Sequence, residues 1–267
     1  MNANVSTGPA KSAPGLISRM RGLLPWGKKA GVGSEAADSP FLFRSDRVVG
    51  ERYRTLAWMM DQLRQKQTYQ VITVTSSVAS EGKSTVALNL AAVLSERASH
   101  RVLLVDCDMR RPRLWDILGG EAPGLVELLE GRCDFGAALH RSDEVAFTYI
   151  PVITPLEEPL QLLTTGPGLE QLVAAAREQF DYIILDAPPV LPVSDPLFLS
   201  EASDAVLFVV RAGETSGRML SRSLSVLKKD KLLGIVFNGT SRGMGYRYDP
   251  YYKKNKYHQK RTERSYR

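Results

Sequence analysis

The chain has 267 residues, of which 43% are hydrophobic and 24% charged, so it can bury one sizeable core, and a second full domain is not expected. Its two cysteines, Cys107 and Cys133, are too few for a disulfide framework or a structural zinc site, and they favour a reducing, cytoplasmic setting. No apolar run approaches the length of a membrane span, and the N-terminus lacks the pattern of a secretory signal.

The net charge of +6 is unevenly distributed along the chain. Residues 1–40 carry +3 and residues 242–267 carry +7, which leaves −4 for the segment between them. An acidic body argues against nucleic-acid binding by the folded part. We therefore expect a disordered basic tail over 1–44, a folded domain over 45–241 and a flexible tail over 242–267. Within the first tail, residues 16–26 could lie on a membrane surface, but a plain flexible segment is favoured.

The folded part is predicted to begin with a helix over residues 51–65. In this helix Leu56, Met59, Met60 and Leu63 recur at the spacing of one buried face. An apolar strand over residues 70–75 comes next, and a second helix is expected over residues 84–97. The stretch that joins the strand to this helix carries the first functional motif.

That stretch, residues 77–85, has the pattern of a phosphate-binding loop, with Ser77 at a position where glycine is usual. The backbone N–H groups of such a loop point at phosphates, Lys83 would reach the β and γ oxygens, and the Ser84 hydroxyl would bind Mg²⁺. An ordinary polar turn is the alternative for this stretch taken alone. The expected ATP-binding residues of the loop are Ser80, Glu81, Gly82, Lys83, Ser84 and Thr85.

Two further apolar strands end in aspartate. The run 102–105 leads to Asp106 and Asp108, and the run 182–185 leads to Asp186. Ligands bind at the carboxyl ends of strands in open α/β sheets, and carboxylates that face a phosphate loop require a cation. The sequence therefore predicts Mg²⁺, with Asp186 as a partner that acts through water or from outside the ion's direct ligands. Each aspartate alone could be an ordinary strand-end cap.

The remaining chain continues the alternation, with strands over 205–210 and 232–237 and a helix over 216–228. This order predicts an α/β protein of the P-loop NTPase class, with a mainly parallel twisted sheet and helices on both faces. Asn238 follows the last strand. It could read the edge of a purine ring, or it could begin an Asn-Gly turn with Gly239, and the pattern favours neither.

The end of the chain is rich in tyrosine. No apolar periodicity accompanies these residues, so they are not expected in a core, and a stacking role on single-stranded nucleic acid is an alternative. A nucleotide site together with a tyrosine-rich tail suggests an enzyme and its substrate in one polypeptide. The tyrosines concerned are Tyr246, Tyr248, Tyr251, Tyr252, Tyr257 and Tyr266.

From about Glu51 to the tail, the chain resembles the bacterial tyrosine kinases of capsule and exopolysaccharide synthesis. The resemblance rests on the Walker A loop at 77–85, the acidic Asp-x-Asp-x-Arg motif at 102–110, the Walker B strand at 183–188 and the tyrosine tail. The chain departs from the family where Ala79 and Ser80 replace Pro-Gly and where Ala57 replaces the second Arg of Glu-x-x-Arg-x-x-Arg. The segment 166–180 is also shorter than usual.

The resemblance implies transfer of the ATP γ-phosphoryl group to a tail tyrosine of a neighbouring subunit. Lys83 would hold phosphates, Ser84 and Asp108 would serve Mg²⁺, and Asp186 would orient the water shell of the ion. Asp106 would be the base for the tyrosine hydroxyl. Arg110 would orient the acidic pair or stabilise developing charge.

The resemblance also implies partners and a location. A homo-oligomer would phosphorylate itself in trans, although Ala57 predicts weaker self-association. A separate inner-membrane polysaccharide co-polymerase would activate the kinase, a tyrosine phosphatase would reverse the reaction, and nucleic acid would have no role. The protein would lie in the cytoplasm, peripheral at the inner membrane. Two alternatives are a partition-type ATPase, which would carry Lys where this chain has Val78, and a regulatory nucleotide-binding subunit without kinase activity.

Overall fold

The computed structural model describes residues 40–66, 69–97, 100–166 and 168–240. The predicted tails therefore lie outside the described residues, except for residues 40–44, and so do all six tail tyrosines. Within the described part, a single sheet forms the centre of the fold, and its carboxyl edge carries the predicted site residues.

The sheet has six strands, and every pairing between them is parallel, which confirms the predicted α/β architecture. Its order is β3-β2-β4-β1-β5-β6. The strands are β1 (Val71–Ser76), β2 (Val102–Asp106), β3 (Thr148–Ile150), β4 (Tyr182–Asp186), β5 (Ala205–Arg211) and β6 (Leu232–Asn238). The first strand, β1, lies near the middle of the sheet, so the phosphate-binding loop that follows it is flanked by the ends of β4 and β5.

Helices cover both faces of this sheet. They are α1 (Leu42–Ser45), α2 (Arg47–Lys66), α3 (Lys83–Glu96), α4 (Leu114–Leu118), α5 (Leu125–Leu129), α6 (Leu160–Thr164), α7 (Gly168–Gln179), α8 (Asp195–Ala202) and α9 (Gly217–Val226), with a 3-10 helix at Lys229–Lys231. One face packs α2 and α3 against residues such as Ile72 and Leu104. The other packs α5, α7 and α8 against residues such as Leu103 and Ile183. Strands buried on both faces explain the continuous apolar runs in the sequence.

The buried face of α2 differs from the predicted one. Tyr53, Ala57 and Met60 form the buried stripe, whereas Met59 and Leu63 are 51% and 36% exposed. The prediction for those two residues was wrong because the helix carries two adjacent apolar stripes, and periodicity alone does not say which of them is covered. Ala57, at the position of the second family arginine, is fully buried.

The packed domain begins earlier than the predicted boundary at residue 45. Phe41 and Phe43, which the prediction assigned to the basic tail, are buried in the core. Asn89 of α3 fixes this segment, because its Oδ1 accepts from Phe43 N at 3.2 Å and its Nδ2 donates to the Pro40 carbonyl at 3.1 Å. The boundary was misplaced because a short run with two phenylalanines has no helical or strand period.

No helix in the described ranges is both long and apolar enough to cross a bilayer.

Candidate nucleotide and metal site

The loop between β1 and α3 has the backbone of a phosphate-binding loop. Gly82, with φ +94°, immediately precedes α3, which begins at Lys83. A Cβ atom at residue 82 would collide with the side-chain amide of Asn238, so only glycine fits there. The Asn238 amide in turn donates to the Glu81 carbonyl at 2.9 Å, which ties the end of β6 to the loop.

The Asn238 side chain is therefore hydrogen-bonded within the protein. Its Oδ1 accepts from Gly239 N at 2.9 Å, which is the Asn-Gly turn that the sequence left open as one of two roles. These contacts support the Asn-Gly turn, and purine recognition stays a prediction, since the amide group has a second N–H and its oxygen a second lone pair.

Glu81 also acts inside the loop. Its side chain is buried, its Oε2 accepts from Val78 N at 2.9 Å, and its Oε1 contacts the Thr215 hydroxyl. Thr215, which the sequence did not single out, lies after β5 and accepts from Arg211 N at 3.0 Å. This carboxylate links the loop backbone to Thr215, while its predicted role in nucleotide binding stays a prediction.

Three aspartates and one lysine meet where β2 and β4 end. Asp106 and Asp186 are register partners in adjacent strands. The Lys83 Nζ atom lies 2.7 Å from Asp108 Oδ2 and 3.8 Å from Asp186 Oδ1, and all four side chains are buried. Lys83 Nζ also lies 3.3 Å from the Ser84 hydroxyl. The fold thus brings together the residues that the sequence predicted for phosphate and Mg²⁺ chemistry.

The site is short of positive charge. Burial, and then the charge of Asp186, raise the pKa of Asp106 from 3.8 to about 7. Burial likewise raises the pKa of Asp186, and Lys83 only partly offsets this effect. Although burial disfavours the charged form of Lys83, Asp186 and then Asp108 raise the pKa of its ammonium group. One ammonium group cannot neutralise three buried carboxylates, so the site favours protons or an added cation.

The donor chemistry of the site fits Mg²⁺. Both carboxylate oxygens of Asp186 are buried without a hydrogen-bond partner in the described part of the chain, as is the Ser77 hydroxyl. Across the same residues, no three His, Cys, Asp or Glu side chains form a cage that could hold a metal alone. Mg²⁺ commonly binds to one or two protein oxygens and completes its shell with water and substrate phosphates.

Backbone hydrogen bonds fix the Asp106 carboxylate in place. Its Oδ2 accepts from the backbone N–H groups of Arg113 and Leu114, at 2.7 and 2.9 Å, at the start of α4. Its Oδ1 has a longer contact of 3.3 Å with Asp108 N. The carboxylate therefore also fixes the loop that carries the acidic motif.

Arg110 contacts Asp195, a residue that the sequence did not single out. Its Nε lies 3.1 Å from Asp195 Oδ2, and its Nη1 donates to the Glu157 carbonyl. Asp195 begins α8 and is buried, and its Oδ1 has no hydrogen-bond partner within the described ranges. Arg110 thus joins the acidic-motif loop to the start of α8 and to the segment after β3, rather than contacting Asp106 or Asp108. An Asp-Pro pair at a helix start was the available signal, but it is common and carries no specific meaning.

The chain is similar to known protein families and structures. A family model described as an AAA domain matches residues 69–231. The tyrosine-protein kinase YwqD of Bacillus subtilis is 30% identical over 215 residues, which cover 79% of this chain and 89% of that protein. The succinoglycan biosynthesis transport protein ExoP of Rhizobium meliloti is 31% identical over 221 residues, but the match spans only 28% of its length.

Solved structures agree with these matches. The kinase domain of the Escherichia coli tyrosine kinase ETK superposes with a TM-score of 0.65 at 25% identity, over 72% of this chain and 77% of that one. The BceF tyrosine kinase domain gives a TM-score of 0.64 at 28% identity, with the same coverage. The loop, the acidic motif and the Walker B strand also meet at one edge of the sheet. With the similarity to YwqD over most of both proteins, the chain belongs to the family of bacterial tyrosine kinases.

Proposed function

We propose that this chain is an ATP-dependent protein-tyrosine autokinase. It phosphorylates its own C-terminal tyrosine cluster and thereby regulates the polymerisation and export of an exopolysaccharide or capsule. The observation that carries this proposal is the buried group of Lys83, Asp108 and Asp186 beside a phosphate-binding loop, in which Asp186 has a 3.8 Å ion pair with Lys83 but no hydrogen bond among the described residues. The names of the relatives support the reaction and the pathway class.

The loop and Lys83 hold the phosphates of ATP in the proposed reaction. Lys83 is now paired with Asp108 at 2.7 Å, so its ammonium group must turn from this carboxylate toward the nucleotide when ATP binds. Ser84, Asp108 and Asp186 would hold Mg²⁺ directly or through water. The ion, when bound, would neutralise charge on the β and γ oxygens.

Asp106 is the proposed base for the tyrosine hydroxyl. Without Mg²⁺ its pKa is raised to about 7, and a bound cation would favour the ionised form that accepts a proton. Because its Oδ2 already accepts two backbone N–H groups, Oδ1 is the atom that would take the proton. Asp106 is fully buried, so the acceptor hydroxyl must enter to the floor of the site. Arg110 would act through its bond to Asp195, which fixes the acidic-motif loop.

The acceptors are the tail tyrosines Tyr246, Tyr248, Tyr251, Tyr252, Tyr257 and Tyr266, offered by one subunit of a homo-oligomer to the next. They lie outside the described residues. The proposed partners are an inner-membrane polysaccharide co-polymerase, which activates the kinase and brings it to the membrane from the cytoplasm, and a tyrosine phosphatase. The net charge of −4 between residues 41 and 241 supports the exclusion of nucleic acid.

A second candidate is a nucleotide-binding regulatory subunit without kinase activity. Ser80 favours it, because this residue has φ +68° at a position where the family usually has glycine. A strained loop could hold nucleotide without aligning the γ-phosphate.

Replacement of Lys83 by Met separates these candidates. The purified full chain is incubated with labelled ATP and Mg²⁺, and phosphotyrosine is measured by mass spectrometry. The matched control is Lys229→Met, since Lys229 is exposed on the 3-10 helix and lies away from the sheet core. We expect phosphotyrosine in the wild-type chain and the control and none in Lys83→Met. Nucleotide binding without phosphotyrosine in the wild-type chain would favour the regulatory subunit.

A further inference from the structure

The outer edge of β6 is open. β6 pairs with β5 on one side, and no strand of the described residues pairs with its other side. Such an edge presents a row of N–H and C=O groups to any segment that can adopt an extended conformation, and natural proteins usually cover or block it. The edge of β6 therefore calls for an explanation of what covers it.

Apolar side chains are exposed on one face of this edge. Ile235 and Phe237 of β6 are 36% and 60% exposed. Their register partners in β5, Phe208 and Val210, are buried in a cluster to which α9 contributes. The helix α9 thus covers β5 but leaves β6 bare on that face.

The other face of the edge is flanked by α2. The Arg52 Nη1 atom donates to the Thr240 hydroxyl at 2.8 Å, so this side of α2 lies beside the point where the chain leaves β6. Farther along its length α2 leaves this edge, because Asp61 and Arg64 contact Tyr182 of β4. An open backbone edge with exposed apolar groups on one face is a binding site for an extended, partly apolar segment.

The sequence that follows β6 matches this edge. The described structure ends at Thr240, directly at the edge, and the rest of the chain must start from there. Gly239 has φ +69°, a left-handed conformation that permits a sharp change of direction. In the next residues, Met244, Tyr246 and Tyr248 alternate with Gly243, Gly245, Arg247 and Asp249, and Pro250 follows. This is the two-residue period of a strand with one apolar face, ended by proline.

We propose that residues 243–249 of the same chain form an antiparallel strand on the outer edge of β6. In this arrangement Met244 and Tyr246 lie beside Phe237 and Ile235, and the small residues Gly243 and Gly245 face α2. The sheet gains a seventh strand, and its exposed apolar groups become covered. The tether of only a few residues from Thr240 makes this contact intramolecular and independent of protein concentration.

In this contact, which we call the storage contact, Tyr246 and Tyr248 are held against the sheet and away from a kinase site. A phosphate group adds a charge of about −1.5 to −2, which opposes packing of these two side chains against Ile235 and Phe237. Tyr246 and Tyr248 would therefore be phosphorylated only after the strand has detached, and their phosphates would keep it detached. The release step rests on the proposed kinase function, whereas the storage contact does not.

Hydrogen exchange tests the storage contact without any kinase activity. The dephosphorylated full chain is compared, without nucleotide, with Tyr246→Glu/Tyr248→Glu and with the matched control Tyr257→Glu/Tyr266→Glu. We expect the β6 amides to exchange at least about tenfold faster in the first variant and at the wild-type rate in the control. Equal rates in all three chains would overturn the proposal. Protection that rises with protein concentration would also overturn it, because a second copy would then cover the edge.

Phosphorylation order tests the release step. We expect Tyr246 and Tyr248 to be phosphorylated several-fold more slowly than Tyr257, and Phe237→Ser to remove this delay. Phe198→Ser is the matched control, since Phe198 is 40% exposed on α8 and does not belong to the β6 edge. A complete lack of phosphotyrosine would refute the kinase function but leave the exchange result unchanged, so the two failures are distinguishable. Equal rates at all sites in the wild-type chain would refute the release step.

Discussion

The two ends of the sheet use the same residue types in opposite ways. At the carboxyl end, Asp106, Asp108 and Asp186 share one Lys83, and both oxygens of Asp186 have no hydrogen-bond partner in the described part. At the amino end, aspartates are matched by arginines. The difference shows that a functional site can be recognised by buried carboxylates that lack enough hydrogen bonds or positive charges in the protein.

At the amino end, hydrogen bonds and arginine side chains offset the cost of burying the aspartates. Asp204 accepts from Gln70 N and Val71 N at 2.8 Å and from Arg177 Nη1 at 3.0 Å. Burial alone would raise the pKa of Asp204, but the Arg177 bond and these amides lower it. Asp181 behaves alike, because bonds from Arg101 outweigh the effect of burial and lower its pKa. These charges stabilise the fold and have no capacity left for a ligand.

A third aspartate at this end joins two helices to the sheet. Asp61 Oδ1 accepts from the Tyr182 hydroxyl at 2.7 Å and lies 3.1 Å from His100 Nε2. Asp61 Oδ2 lies 2.9 Å from Arg97 Nε, so an ion pair compensates this oxygen although it has no hydrogen bond among the described residues. Arg64 stacks over the Tyr182 ring at 4.9 Å. This cluster is the natural counterpart for tests of the acidic cluster at the other end.

The largest expected effect comes from Asp186→Asn at the carboxyl end. This change removes a carboxylate of the proposed Mg²⁺ site, so we expect kinase activity to fall about 10²- to 10³-fold. We do not expect the free energy of unfolding to fall, because the substitution removes a buried charge that only partly offsets its burial through Lys83, which keeps its shorter pair with Asp108. Initial rates of phosphotyrosine formation and urea unfolding without nucleotide measure the two effects. Wild-type activity in this variant would contradict the site assignment.

Asp61→Asn is the reverse experiment at the amino end. Loss of this charge leaves Arg97 without its carboxylate partner and weakens the bond to Tyr182, so the free energy of unfolding should fall by about 2 kcal/mol. The activity of the folded fraction should not change, since Asp61 lies at the end of the sheet opposite to the nucleotide loop. Urea unfolding and active-site titration test both statements. A stable but inactive variant would show that the two ends are coupled.

These pairs also show what the sequence can and cannot predict. The nucleotide loop and the strand-end aspartates were predictable, because each lies within a local motif beside an apolar strand. The bonds of Asp204 to Gln70 and of Arg110 to Asp195 were not, because they join residues 134 and 85 positions apart. No local period encodes such pairs. The exposure of Met59 and Leu63 escaped prediction for a related reason, since it depends on which helix side the sheet reaches.

The two ends should respond to pH with opposite signs. Asp106 has a folded-state pKa of about 7, raised above its unfolded value, so the folded state holds a proton that the unfolded state has already lost. Without nucleotide and Mg²⁺, this group should lower stability as pH rises from about 4 to about 7, by at most about 1.4 kcal/mol per pH unit. The lowered pKa values of Asp181 and Asp204 act in the other direction, since their stabilisation is lost as pH falls below about 4.

Urea unfolding at several pH values, in Asp106→Asn and in the wild-type chain, isolates the first contribution. The variant should lose the decline between about pH 4 and 7 and keep the acid-side loss. Identical profiles would mean that the Asp106 carboxyl group is not perturbed. Saturating Mg²⁺ and ATP should also reduce the decline, because a bound cation favours the ionised carboxylates.

The smallest expected effect concerns backbone strain, which also lies at the carboxyl end. Among the described residues, Ser80 is the one non-glycine with a positive φ, at +68°. This conformation costs a residue with a Cβ atom about 1 to 2 kcal/mol, whereas glycine adopts it freely but gains freedom in the unfolded chain. Ser80→Gly should therefore raise the free energy of unfolding by less than about 1 kcal/mol. Ala79→Gly is the matched control, because Ala79 is an exposed neighbour without a positive φ and should lose about 0.5 kcal/mol when replaced. Opposite signs for the two substitutions, measured by urea unfolding, would assign strain to Ser80 itself, and a loss in both would show that the loop holds this conformation without cost.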